Sequence, residues 1–355
     1  MSQVIPNPKA PKESTDYIYG KRLEKYEDRM NFFLNEKVDI DKTNVKGEDA
    51  GEVDGLESLV HRFCSYGSTT LPSVDEHGII EGSEASGKSK RLIDFIVQAA
   101  KDAVAFILNL INNRLARLEI RLARLKIERK RSGIRTGEIK YPYGIRRMLL
   151  PQIVSTDPNW VPQTLINVLD FYKDTVKAYK VMSDNLGKEP IEGKDLHSLI
   201  EDMVGKVKTA LNMKLEGDIL VGPLLPSLRM LHIQEPGESD PTKIDIYFGV
   251  SNVQVKLPSE TFVSTSNLLD SMLTNITKVV SEIRSNQSTV SSMTRNFEKT
   301  VRKVENSKEG KLTPVEREYY NWLIRFNRRL MNVTIQYTLS QLDAAIDFAT
   351  TGIAK

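Results

Sequence analysis

Apolar residues between positions 97 and 125 recur at steps of three and four: Val97, Ala100, Val104, Leu108, Ile111, Leu115, Leu118, Leu122 and Leu125. A repeat near 3.5 residues keeps one seam pointing one way along an α-helix and favours packing against another helix. The pattern predicts a helix from about Lys90 to Arg131. At ~1.5 Å per residue such a rod runs for roughly 60 Å, longer than a small domain is wide, so it has to lie along other elements. Its first half is apolar on nearly every side (Leu92, Ile93, Phe95, Ile96, Phe106, Ile107), which predicts burial on most faces.

The same periodicity predicts further helices. Short ones are expected at residues 17–37, with Leu23, Tyr26, Met30 and Phe33 on one face, and at 56–66. Longer ones are expected from Pro162 to about Leu186, from about Gly193 to Leu215 and over 259–306. The Ser/Asn/Gln/Thr cluster at 285–292 weakens the middle of the last of these. Thr313-Pro314-Val315-Glu316 is a helix start: a Thr N-cap, Pro at the first helical position and Glu two residues beyond it. A final helix should run from there to about Ala349, with its tyrosines and Trp322, like Trp160, read as core.

Strand signals are confined to one region. Ile219–Val221 and Arg229–Gln234 are short apolar runs, and Lys243 to Leu257 alternates at period two. The prolines of residues 141–162 forbid one continuous helix there, and the Gly/Ser/Thr/Pro content of 67–87 reads as a linker. The expected fold class is therefore mainly α: an elongated helical bundle with long helices and a small antiparallel β-sheet. Its expected divisions are a head at 1–84, the long helix at 85–135, a helical region at 136–217, the sheet at 218–258 and long C-terminal helices at 259–355.

Charge changes the picture. The 355 residues carry 50 Lys+Arg and 47 Asp+Glu, a net of +3, but the two signs are separated along the chain. Residues 1–84 hold 10 Lys+Arg against 17 Asp+Glu, while residues 85–355 hold 40 against 30. An acidic head thus precedes a basic body. The steepest part of the basic body is residues 114–135, with nine cations against Glu119 and Glu128. Arg114, Arg117, Arg121 and Arg124 follow the leucine spacing one residue ahead of it, so they form a guanidinium stripe about 100° from the apolar seam. Lys126, Arg129, Lys130, Arg131 and Arg135 extend it. A stripe of this kind is either an ordinary solvated face or a contact for a phosphate-bearing partner, and its density favours a polyanion.

Candidate chemistry is sparse. One cysteine, Cys64, excludes a disulfide scaffold, and with only four histidines (His61, His77, His197, His232) a Cys-rich zinc module is excluded too. Cys64 lies three residues after His61, but a nucleophilic pair also needs an orienting group and an oxyanion hole, and neither is visible. No metalloprotease or serine-hydrolase signature occurs, so neither catalysis nor a cofactor or metal is expected. No run of 18 uncharged apolar residues predicts a spanning helix. The N-terminus shows no secretory signal.

Gly82-Ser83-Glu84-Ala85-Ser86-Gly87-Lys88-Ser89 has the spacing of a phosphate-binding loop, with Gly82, Gly87, Lys88 and Ser89 in its fixed positions. The surroundings oppose that reading, because no parallel strand–helix alternation accompanies it. The same octapeptide sits where acidic sequence gives way to basic. Gly82-Ser83-Glu84 followed by Ala85 is a small–any–Glu tripeptide in a flexible segment, which suits proteolysis.

This organisation resembles the internal head (inner-body) proteins of giant tailed phages: an acidic leader, a Gly-Ser-Glu|Ala junction, and a basic helical body that opens with a long amphipathic helix. The resemblance implies a non-enzymatic virion structural protein, located in the host cytoplasm during assembly and in the head interior afterwards. It implies capsid or scaffold proteins as partners, a prohead protease that cuts after Glu84 to leave Ala85 as the new N-terminus, and contact with packaged DNA without sequence reading. The expected contact residues are Arg114, Arg117, Arg121, Arg124, Arg129, Lys130 and Arg131, with helix-mediated self- or hetero-association along the seam. An uncleaved tail or baseplate component and a membrane-interfacial helical protein remain open beside it.

Overall fold

A computed structural model describes residues 85–151, 153, 155–185, 193–237, 240–253, 255–307 and 313–354. They belong to the second of two compact units into which the chain divides, Ile80–Lys355. The helices expected at 17–37 and 56–66 lie outside the described residues. The fold is mainly α with a small antiparallel β part. Its helices are α1 (Ala85–Ser132), α2 (Trp160–Asn185), α3 (Leu196–Ala210), α4 (Ser266–Ser285), α5 (Gln287–Ser307) and α6 (Pro314–Thr351).

The central element is α6. Its start is fixed by a reciprocal cap: the Glu316 amide donates to Thr313 Oγ1 at 3.2 Å, and the Thr313 amide donates to Glu316 Oε2 at 2.8 Å. From there α6 packs against α1, α2, α3, α4 and strand β5 (Ile246–Val250). So many neighbours bury it on nearly every side, polar residues included: Asn327, Asn332, Thr334, Thr338 and Gln341 are all inside. Two of these return a hydrogen bond to their own helix, Asn327 Nδ2 to the Leu323 carbonyl at 3.0 Å and Thr338 Oγ1 to the Thr334 carbonyl at 2.9 Å. Arg329 is also buried. It donates from Nε to the Ile246 carbonyl at 3.1 Å and so ties α6 to β5.

Helix α1 is the rod expected from its seam, but at 48 residues it is longer than expected, because it starts at Ala85 and not near Lys90. Ile96, Val97, Ala99, Ala100, Ala103, Ile107, Ile111, Leu115, Leu118, Leu122 and Leu125 are buried against α6, α5 and α4. It ends at Gly133, whose φ of +77° is the left-handed conformation that closes a helix without a Cβ penalty. The far end of α6 closes nearby: the Arg135 amide donates to the Gly352 carbonyl at 3.0 Å. A Cβ at Gly352 would meet Ser264 Oγ at 2.7 Å and Leu269 Cδ2 at 2.9 Å, so a larger residue there would have to displace both side chains.

The β part is two antiparallel sheets rather than one. Strands β2 (Lys214–Glu216), β3 (Ile219–Val221), β4 (Arg229–Gln234) and β5 form a meander in sequence order. Its register pairs Leu220 with Ile233 and Leu231 with Phe248. Phe248, Phe171 and Tyr337 pack as an aromatic cluster that joins this sheet to α2 and α6. The second sheet pairs β1 (Glu138–Lys140) with β6 (Thr261–Val263), and Phe262 of β6 packs on Tyr141 and on Phe348 of α6.

Several boundaries differ from the sequence reading, among them the start of α1, which takes in residues 85–87 of the segment read as linker, and the start of β5, which lies at Ile246 and not Lys243. Residues 261–263 are strand, not helix; α4 starts only after Thr265, whose Oγ1 accepts the Leu268 amide at 3.2 Å. The single helix expected over 259–306 is broken at Asn286, whose side-chain amide folds back on the Glu282 carbonyl at 3.0 Å. Helix α3 stops at Ala210 instead of reaching Leu215, because Asn212 takes a positive φ of 50°. The strand expected to reach Leu257 ends at Val250, beyond which the Ser251 amide bonds back to the Leu228 carbonyl.

Candidate polyanion-contact face on the long helix

The cationic stripe of α1 divides into two classes. Arg121 and Arg129 are half-buried and engaged within the body. Arg121 donates to Asp343 and, at 2.6 Å, to Asp347, both on α6. Burial alone would lower its pKa; the two carboxylates outweigh that and raise it. Arg129 donates to Ser266 Oγ at 2.9 Å and lies 3.6 Å from Asp270 of α4. These two arginines fasten α1 to α6 and α4.

Arg114, Arg117, Arg124, Lys130 and Arg131 are exposed, and no ion pair joins any of them to another described residue. Lys130 and Arg131 stand in the last turn, where the helix dipole favours cations. The arginines further in have no such local reason to be there. The exposed cations run over about five turns of one rigid helix, so their spacing is set by backbone geometry and not by loops.

Glu119, which dilutes the stripe in sequence, is removed from it in space. Arg284 of α4 grips its carboxylate with two bonds, Nε to Oε1 at 2.8 Å and Nη2 to Oε2 at 2.6 Å. Arg284 Nη1 also donates to Asn112 Oδ1 at 2.7 Å. The Arg284 hydrogen bonds hold the Glu119 carboxyl below its ordinary value of 4.5. A carboxyl whose folded pKa is depressed stabilises the fold above its ordinary pKa and loses that contribution as pH falls through the lowered value. Glu119→Gln should therefore cost about 1 kcal/mol at pH 7, a bidentate pair discounted for its partial exposure. The gap between variant and parent should narrow progressively as pH falls below 4.5, which urea unfolding at neutral pH and at a series of acid pH values measures.

Other candidates from the sequence do not join this face. Gly82, Ser83 and Glu84 lie outside the described residues, and Ala85 is the first residue of α1. Gly87, Lys88 and Ser89 fall within the opening turns of α1. All described strand pairs are antiparallel, so the parallel sheet that carries a phosphate loop is not found among the described residues. Cys64, His61 and His77 also lie outside the described residues.

His197 sits on α3 with Nδ1 3.8 Å from Glu201. His232 lies on β4, where both ring nitrogens are buried without a partner and the ring fills the space above Gly249. Burial lowers its pKa, against Glu216 nearby. Trp322 is in the core, as are Tyr319, Tyr320 and Tyr337 of α6. Among the described residues no group of three His, Cys, Asp or Glu could hold a metal ion, and no helix is long and apolar enough to cross a membrane.

Sequence reasoning found the stripe but could not sort it. The signal was present: Asp343 and Asp347 stand four apart on a helix that is otherwise mostly apolar, a waiting partner for one arginine. Comparison with protein-family models, with curated proteins and with solved structures returns no match to this chain.

Proposed function

We propose that this chain is a non-enzymatic structural protein whose helical body anchors to an anionic partner through the exposed cations of α1. The observation that carries this reading is the division of the stripe. Arg121 and Arg129 are engaged inside the body, while Arg114, Arg117, Arg124, Lys130 and Arg131 face solvent in no ion pair with another described residue, with exposed Glu128 the one carboxylate set among them. Cations held in register on a rigid rod suit a partner with repeated negative charge and need no base reading. The setting we propose is the interior of a phage head, with residues 1–84 as a leader removed after Glu84. Its support is the acid–base division of the chain, the Gly82-Ser83-Glu84|Ala85 junction and the resemblance those features carry. In that setting the anionic partner is packaged DNA or the inner capsid surface.

The test is the salt dependence of binding by the full chain to a duplex DNA fragment. Five cations that each displace a counterion give log K falling against log salt with a slope of about −4 to −5. No binding at low salt, or binding indifferent to salt, would refute the electrostatic contact. For the leader, the intact mass of the chain recovered from assembled particles should lack residues 1–84; the full 40.2 kDa would refute cleavage.

A further inference from the structure

The face that carries the exposed arginines is not purely charged. Ile120 and Ile127 point to solvent, 55% and 51% exposed, on a rod whose other isoleucines at 96, 107 and 111 are fully buried. They are seven residues apart. Ala116 and Ala123 lie between and before them, also outside the core, so the order 116, 120, 123, 127 repeats the 4–3–4 step of a helix-pairing seam. This seam is on the opposite side of α1 from Leu115, Leu118, Leu122 and Leu125, and none of the described elements covers it. The helix therefore has two seams: one buried against α6, α5 and α4, the other left uncovered by the described residues.

The flank of the second seam is basic in the same register. Taking Ile120 and Ile127 as core positions of a heptad, Arg117, Arg124 and Arg131 fall at one flanking position three times in succession, at intervals of seven. All three are exposed. On the opposite flank stand Glu119 and Lys126, and Glu119 is already held by Arg284. Flanking charges choose partner and orientation in paired helices. Duplex DNA has no use for isoleucines set in water between the arginines; a helix with an apolar stripe does.

We propose that this face docks an acidic amphipathic helix of a partner protein, which lays its apolar stripe on Ala116, Ile120, Ala123 and Ile127 and its carboxylates along Arg117, Arg124 and Arg131. The small alanines let the partner backbone come close, and the isoleucines supply the buried knobs. A second copy of this chain is disfavoured by its own charge. Antiparallel pairing sets this arginine row against itself, and parallel pairing sets it against Lys126 and a Glu119 that is already engaged. The inference rests on the electrostatic reading above and names the partner's chemistry.

The probe is a labelled 21-residue peptide of three heptads with leucine at the seam and glutamate on the flanks, titrated into the full chain by fluorescence anisotropy. A peptide with lysine flanks, duplex DNA and anionic vesicles run beside it. The parent should prefer the glutamate peptide over the lysine peptide by about tenfold or more. The pair Ile120→Gln and Ile127→Gln, both at exposed positions, should weaken peptide binding by about tenfold and leave DNA binding within about twofold. The triple Arg117→Gln, Arg124→Gln, Arg131→Gln should weaken both.

Undiminished peptide binding by the isoleucine pair would overturn the docking seam while leaving the electrostatic reading in place. Failure of the parent to bind DNA and peptide alike would overturn both. A self-association of the parent, seen by sedimentation and abolished by the isoleucine pair, would assign the seam to a second copy instead. Vesicle binding that the isoleucine pair abolishes, with peptide binding intact, would assign it to a lipid surface.

Discussion

Trp322→Ala should destabilise the folded body by about 3–5 kcal/mol. Trp322 is 1% exposed, near the start of the helix around which the other elements pack. Its ring stacks on Tyr319 at 6.1 Å and leans on Phe326 at 4.9 Å. With Ile200 and Val204 of α3 and Ile233 of β4 it lines one recess where three elements meet. Truncation to alanine removes the transfer energy of a large apolar group and leaves a hole that neither a helix nor a paired strand can collapse into. For a body of this size the loss should lower Tm by on the order of 10 °C, read by thermal unfolding followed in the far-UV. A shift of only a degree or two would mean that α6 does not hold the fold together at this point.

The largest functional effect should come from reversing charge on the exposed face. Arg114→Glu, Arg117→Glu and Arg124→Glu together change six units of charge without touching a described ion pair. Each lost phosphate contact removes its counterion release, and each new carboxylate repels the partner. Affinity for duplex DNA near 50 mM salt should fall by on the order of a thousandfold or more, while Tm stays within a few degrees because the replaced side chains are exposed. A drop of less than about tenfold would place the contact elsewhere on the molecule.

How much of this was legible in the sequence differs from element to element, for physical reasons. The long helix was plain, because nine apolar residues at a 3.5 step leave no other periodic structure. Strands Ile219–Val221 and Arg229–Gln234 were found to the residue, and the Thr313 cap announced α6. Strands β1 and β6 were not found: three-residue strands have no measurable period, and each exists only because the other is beside it. The depth at which α6 is buried was also hidden. Thr334, Thr338 and Gln341 are polar and carry no local signal of burial, and only the surrounding elements put them inside.

The candidate site shows the same limit. Local spacing put all the arginines in one row. Which of them are free depends on Asp343, Asp347, Ser266 and Asp270, more than a hundred residues away in the chain. The exposed seam of Ile120 and Ile127 escaped notice because the stronger leucine seam of the same helix satisfied the expected periodicity first.

The central claim, that the stripe is part fastening and part contact, is tested most directly by the salt slope of DNA binding in two neutralised variants. One carries Arg114→Gln, Arg117→Gln and Arg124→Gln, the other Arg121→Gln and Arg129→Gln. The first should lose about three units of slope with Tm unchanged; the second should keep the parent slope and unfold at a lower temperature. Equal loss of slope in the two variants, scaled to the charges removed, would show one undivided solvated row and contradict the account.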